Sequence, residues 1–213
     1  MNAIILAGGI SRRMNGTRKA FLRLGGESFL ERVMGVLRPL VESFLIVTNE
    51  PERYAGFPAQ VLRDEREGVG PLMGIYSGLK ASGSETNFVT AVDTPLLAAD
   101  LVRHLGQGGD GCDLLVPRWN GELEPLCAVY SRRCLPSIES VLDSERVATA
   151  DGPRGRIIAF FPLVRVCVVE QPIVMRFDPE GRSFFNVNTT EDYEKLRASF
   201  PGDAGGDGGG CRG

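Results

Sequence analysis

Histidine is almost missing from this chain: His104 is the only one among 213 residues. A serine-hydrolase constellation needs an imidazole beside its nucleophile. No candidate nucleophile accompanies His104 in sequence, which argues against covalent catalysis of that kind. His104 falls in a helical pattern with Leu101, Val102 and Leu105 and reads as a bystander. The same scarcity argues against zinc, because the five cysteines are widely spaced and none forms a C-x-x-C pair. Cys112, Cys127, Cys134, Cys167 and Cys211 are read as reduced. Long hydrophobic runs are missing as well: no apolar stretch approaches the ~20 residues of a bilayer span. The short N-terminal apolar run has its positive charges after it, unlike a secretion signal. Strong charge of either sign is also lacking. A net charge of -3 gives no attraction to nucleic acid or to an anionic membrane. These features point to a cytoplasmic protein with neither as a partner.

What is present is an ordinary globular composition, 43% hydrophobic and 24% charged, with length for one sizeable core. The expectation is a single domain over residues 1–200 and a disordered glycine-rich tail over 201–213. "AIIL" before Ala7-Gly8-Gly9 reads as a buried parallel strand. A helix is predicted over residues 28–36 and further strands over 43–49 and 59–64. The helix in "GVGPLMGIYSGLKAS" takes Pro71 in its first turn. A strand over 88–92 ends at Asp93, and the next helix takes Asp100 as N-cap. Strands over 113–117, 126–130 and 164–170, a helix over 134–142 and a last helix capped by Thr190 complete the chain. Strand and helix alternate through the first hundred residues. The fold class predicted is therefore α/β, with a Rossmann-like, mostly parallel central sheet and helices on both faces. Ligands of such sheets lie beyond the carboxyl ends of the strands. The loop after Leu6, Asp64 and Asp93 share that address.

Ala7, Gly8 and Gly9 let backbone N–H groups approach a phosphate, and Arg13 and Lys19 supply charge to neutralise it. A plain strand-to-helix turn with a solvated basic flank is the other reading. The spacing is neither G-x-G-x-x-G nor G-x-x-x-x-G-K-[ST], which argues against a dinucleotide fold and a P-loop ATPase. Asp93 reads as a Mg²⁺ ligand or as a turn former. Asp64 reads as an acceptor for nucleoside hydroxyls or the N–H edge of guanine, or as a loop cap. Asn186 and Asn188 sit two apart in an extended piece and so share one side. Trp119, in the expected loop "RWNGELEP", is available to stack on a heterocycle or to make an ordinary amphipathic contact.

"ILAGGISRRM" followed by Lys19 resembles the signature of the nucleotidyltransferases. "GPLMGIYSGL", "AVDTPLL", "EPLCAVYS" and "FFNVNTTEDY" occur in the same order in the molybdenum cofactor guanylyltransferase family, the molybdopterin-guanine dinucleotide biosynthesis protein A family. The resemblance implies GMP transfer from GTP to molybdenum-molybdopterin, with Mg²⁺ as cofactor and pyrophosphate as by-product. It implies GTP contacts at Leu6, Ala7, Gly8, Gly9, Lys19, Asp64 and Asp93, the metal at Asp93, the triphosphate at Arg13, and the acceptor near Asn186 and Asn188. Catalytic roles fall on Lys19, Asp93 and Arg13. Other cofactor-biosynthesis proteins and the recipient molybdoenzymes are the further partners it suggests. Two departures stand out: Arg18 occupies a position often acidic in the family, and Asn15 replaces a glycine. A further nucleoside-binding position falls on Thr48 or Asn49. The alternatives are a relative using CTP or another phosphorylated acceptor, and a non-catalytic nucleotide-binding adaptor of the same fold.

Overall fold

A computed structural model describes residues 1–8, 18–144 and 157–200. Gly9, Arg12, Arg13, Asn15, Cys211 and the tail 201–213 lie outside the described residues. The first strand, β1 (Asn2–Leu6), is the "AIIL" run, and it lies inside the sheet between two parallel neighbours. They are β4 (Phe44–Val47) and β6 (Thr86–Ala91), and β5 (Gln60–Leu62) extends the sheet beyond β4. On the other side of β6 come β9 (Cys127–Ser131), β7 (Leu114–Trp119) and β10 (Val166–Val169). β9 runs antiparallel to both β6 and β7, while β7 and β10 are parallel. Two reversals in succession restore direction, so β1, β4, β5, β6, β7 and β10 all end on one rim. The α/β, mostly parallel sheet expected from the sequence is therefore present.

Apolar side chains of β1 alternate between two cores. Ala3 and Ile5 pack on the face covered by α1 (Phe29–Leu37) and α3 (Ala99–Gln107). Ile4 packs on the face covered by α2 (Pro71–Ala81) and α4 (Leu135–Leu142). Gly78 sets the distance on that second face, because a Cβ there would come within 2.5 Å of Ile4 Cγ2. Two short helices finish the described chain, α5 (Gln171–Val174) and α6 (Thr190–Ala198).

Several element ends differ from expectation for identifiable reasons. Ser28 is the cap of α1 rather than its first residue. Its Oγ accepts from Glu31 N at 3.2 Å and its own N donates to Glu31 Oε2 at 2.7 Å, a reciprocal capping box. The cap of α3 is Ala98, not Asp100. Ala98 N donates to the Ser183 hydroxyl at 2.9 Å, so the loop before α6 serves this helix start. Asp100 lies in the first turn and pairs with Arg103. The cap of α6 is Thr189, one residue before the one expected, because Asp192 sits at the position that completes its capping box.

The sequence also carried hairpins that strand-length patterning passed over. β2 (Arg23–Leu24) and β3 (Glu27–Ser28) join through Gly25 and Gly26, both at positive φ. Trp119 ends β7 rather than lying in a loop, and Asn120-Gly121 at positive φ turns the chain into β8 (Glu122–Leu123). The expectation of reduced cysteines is corrected at one pair: Cys112 and Cys167 form a disulfide with a Cα–Cα distance of 5.9 Å. The parallel pairing of β10 with β7 brings together residues 55 apart in sequence, so no local spacing announced it. Cys127 and Cys134 are buried and free. No described helix is long and apolar enough to cross a membrane.

Candidate active site

The rim is aligned by strand register. Leu6 pairs with Val47 on one side and Ala91 on the other, and Val47 pairs with Leu62. The residues just beyond these positions are therefore neighbours: Ala7 and Gly8 after β1, Thr48 and Asn49 after β4, Asp64 after β5, and Asp93 after β6. β1 and β6 flank the point where successive connections diverge to opposite sides of the sheet, the usual ligand crevice of such folds. Ala7 N donates to the Val47 carbonyl at 2.9 Å and Tyr54 Oη to the Ala7 carbonyl at 3.2 Å. A Cβ at Gly8 would meet nothing within 4 Å, so the backbone there faces open space.

Lys19 enters from the short 3-10 turn Lys19–Phe21. Its Nζ donates to Asp93 Oδ2 at 2.8 Å and to Asn188 Oδ1 at 2.8 Å. Residues 74 and 169 positions away thus meet on one ammonium group. Both side chains of the ion pair are mostly covered, Lys19 at 15% and Asp93 at 20% exposure, so solvent screens it less than a surface pair. The segment carrying Asn188 is tied to the rim because Val187 N donates to the Asp93 carbonyl at 3.0 Å. Asn188 N and Thr189 N both donate to Asp192 Oδ2, at 3.1 and 2.9 Å. Asn186 does not join this cluster and turns its amide to the Phe184 carbonyl at 3.4 Å.

Arg18 has its own partner. Its guanidinium makes a two-pronged contact with Glu50, just after β4, and holds that carboxyl below its ordinary pKa. Arg53 adds a second contact to Glu50 at 3.7 Å. The residue before Lys19 is thereby clipped to the neighbouring strand end, and Lys19 is oriented by Asp93 and Asn188.

One side of the rim is marked by unsatisfied acceptors. Asn49 Oδ1 and Asp64 Oδ1 are buried without a hydrogen-bond partner. Buried polar atoms left unpaired are rare and costly, and such orphans favour a ligand that donates. Thr48 differs, since its Oγ1 already accepts from Glu50 N at 3.2 Å. Burial first, then the nearby Glu67 charge, pushes the Asp64 carboxyl up to about 6. Gly74 of α2 makes room there: a Cβ would lie 3.1 Å from Leu6 Cδ2 and 3.4 Å from Asp64 Oδ1. Asp64 is thus beside Leu6, although two strands away from β1 in the sheet. His104 stacks on Phe177 at 4.3 Å, away from this rim. Asn49, Arg18, Glu50 and Tyr54 are the rim residues that sequence reasoning left open or passed over. Their signals were weak, because each depends on a partner from a distant segment.

Bare backbone after β1, a covered lysine–carboxylate pair at the switch point and orphaned acceptors to one side define an α/β domain of the nucleotidyltransferase class. A family model for the MobA-like NTP transferase domain matches residues 3–154. The molybdenum cofactor guanylyltransferase of Desulfosudis oleivorans is 38% identical over 94% of this chain and 96% of its own length. The probable molybdenum cofactor guanylyltransferase of Methanosarcina acetivorans is 37% identical over 94% and 92% respectively. The crystal structure of molybdopterin-guanine dinucleotide biosynthesis protein A from Archaeoglobus fulgidus superposes with a TM-score of 0.75 at 26% identity, covering 93% of this chain and 97% of that one. The chain belongs to the molybdenum cofactor guanylyltransferase family.

Proposed function

We propose that this protein transfers GMP from GTP to molybdenum-molybdopterin, giving the molybdopterin guanine dinucleotide cofactor and pyrophosphate. The observation that carries the reading is Lys19 held jointly by Asp93 and Asn188, which unites three of the five sequence motifs at one rim. Ala7 and Gly8 offer backbone to the triphosphate, and Arg13 and Gly9 belong to the same proposed cradle. Asp64 and Asn49 accept from the base or sugar of the nucleoside. An ionised Asp64 suits the N1–H and 2-amino edge of guanine, which presents two parallel donors. Cytosine offers no such pair, which favours GTP over CTP.

The acceptor's terminal phosphate oxygen attacks the α-phosphorus of GTP. The bond to the bridging oxygen breaks, and pyrophosphate leaves with the electron pair. The nucleophile is already ionised near neutral pH, so no side chain need act as base. Both reactants are anions, and unit charges ~4 Å apart repel by roughly 4 kcal/mol at an effective dielectric near 20. Lys19 offsets that repulsion at a fixed position. The donor set also fits Mg²⁺, which takes few protein oxygens and completes its shell with phosphate and water. Asp93 would hold it, with the Asn188 amide oxygen at hand. When bound, the ion supplies neutralisation of the triphosphate. Asn188, which holds Lys19, would lie beside the acceptor, with Asn186 as its neighbour in the same segment.

Mass analysis of the product after mixing the protein with GTP, Mg²⁺ and molybdenum-molybdopterin tests the reading, with CTP as the control. Formation of the guanine dinucleotide supports it. GTP binding without product would instead favour an adaptor, and a cytosine product a different specificity.

A further inference from the structure

One short segment touches the chain on both sides of the glycine loop. It is the 3-10 turn Pro51–Tyr54 with Glu50 in front of it, two residues beyond the Thr48 that follows β4. Before the loop, Tyr54 Oη donates to the Ala7 carbonyl at 3.2 Å. After it, the Glu50 carboxylate receives both prongs of the Arg18 guanidinium. A few residues further on, the Phe21 ring packs on Tyr54 with centroids 5.2 Å apart. Tyr54 is 2% exposed and its ring also meets Phe57 at 6.3 Å, so the phenol is a fixed post. Arg18 passes its position on to Lys19. Its carbonyl accepts from Phe21 N at 3.1 Å, which closes the short turn that Lys19 begins. The Arg18 and Glu50 side chains are 28% and 34% exposed, and ion pairs so open to water add little to folding. Asn49 is held by other means: its carbonyl accepts from Arg63 Nη1 at 2.9 Å.

We propose that Glu50 and Tyr54 are positioning residues for the phosphate end of the site, and that Arg18 acts through Glu50 rather than on the substrate. The proposal rests on the reading that GTP lies at this rim. Its triphosphate would then meet the Ala7-Gly8 backbone on one side and Lys19 on the other. These two groups lie on opposite sides of a loop, so their spacing is set by whatever both sides touch. Residues 50–54 are that common reference. Asp93 and Asn188 aim the Lys19 ammonium, while the clamp fixes the backbone from which it springs. Such a device matters because an ångström of misplacement can cost ~10² in rate.

Turnover of GTP with molybdenum-molybdopterin is measured in Arg18→Gln, Glu50→Gln and the double variant. Each single change is expected to lower kcat about tenfold. The double variant is expected to fall no further, because both changes break one contact. Tyr54→Phe keeps the ring and its packing on Phe21 and loses only the bond to Ala7. It is expected to raise the GTP KM about fivefold. All these variants are expected to keep the wild-type acceptor KM. They are also expected to bind guanosine, which carries no phosphate, with unchanged affinity in calorimetry. A merely structural role would lower guanosine binding along with that of GTP, and that result overturns the proposal. Wild-type kcat in Glu50→Gln beside a loss in Arg18→Gln would make Arg18 a substrate contact, and overturns it too, as does a double variant that loses the product of the single effects. Turnover insensitive to every variant sinks the clamp and leaves the activity standing. Wild-type protein that makes no product sinks the activity instead, and the clamp then stands or falls on GTP against guanosine affinity in the same variants.

Discussion

Lys19 carries the positive charge that Asp93 and Asn188 hold in place, and its loss leaves a mostly covered carboxylate without its cation. Lys19→Ala and Asp93→Ala are each expected to lower turnover by about 10²–10³, the usual effect of deleting one preorganised electrostatic contact. Circular dichroism is expected to show both variants folded; wild-type turnover in Asp93→Ala would remove it from the proposed metal site. Asp64 gives a second expectation, in pH. Its folded pKa of about 6 lies above its ordinary 3.8, so the empty fold prefers the neutral form. The stability linked to this group is fully present below 3.8 and is lost as pH rises through 6. Asp64→Asn is therefore expected to melt higher than wild type well above 6, with the gap closing at acid pH. Binding runs the other way, because nucleoside N–H donors favour the ionised carboxylate. Calorimetric titration with Mg·GTP is expected to show affinity falling as pH drops through about 6, and a flat, weak profile in Asp64→Asn. Asp93 and Asp64 were legible in the sequence because each follows an apolar strand, and Lys19 because it is a cation behind the glycine loop. Asn49 was not separable from Thr48 there, since what distinguishes them is a hydrogen bond from Glu50 N that only the folded turn supplies.

Helix starts at this rim do more than end helices. The Asp192 carboxylate that completes the cap of α6 also accepts from Asn188 N, so the cap fixes the residue that grips Lys19. Thr189→Ala is expected to cost about 1 kcal/mol in denaturant unfolding, with a measurable rise in acceptor KM as Asn188 loosens. Gly78→Ala is a packing test on the opposite face. The added methyl meets Ile4, and a loss of about 1–3 kcal/mol is expected from overpacking. Periodicity located all six principal helices and strands of the first hundred residues to within a few positions, because buried faces repeat. It passed over the hairpins at Gly25-Gly26 and Asn120-Gly121, whose strands are too short to show a period. Their signal is the turn dipeptide itself. The cap of α3 was misread for another reason: its first N–H is answered by Ser183, 85 residues on.

Across the molecule, the disulfide pins the edge strand β10 to β7. Removal by Cys112→Ser is expected to cost about 2–4 kcal/mol, read as a shift in the urea midpoint, with intact mass before and after reduction verifying the bond. Topology was readable where strand and helix alternate, and became opaque where β9 enters against its neighbours. That reversed strand divides the rim by chain position. Among the described residues, the crevice between β1, β4, β5 and β6 comes from those up to Asp93, apart from the Asn186–Asn188 segment tied to it through Val187. A cavity of about 470 Å³ lined by Leu96, Trp119, Glu124, Gly181 and Phe184 takes its described walls wholly from residues after Asp93. Such a layout is modular in heredity: a gene exchange confined to residues 114–185 would recast that cavity while leaving Lys19, Asp93 and Asn188 of the crevice in place.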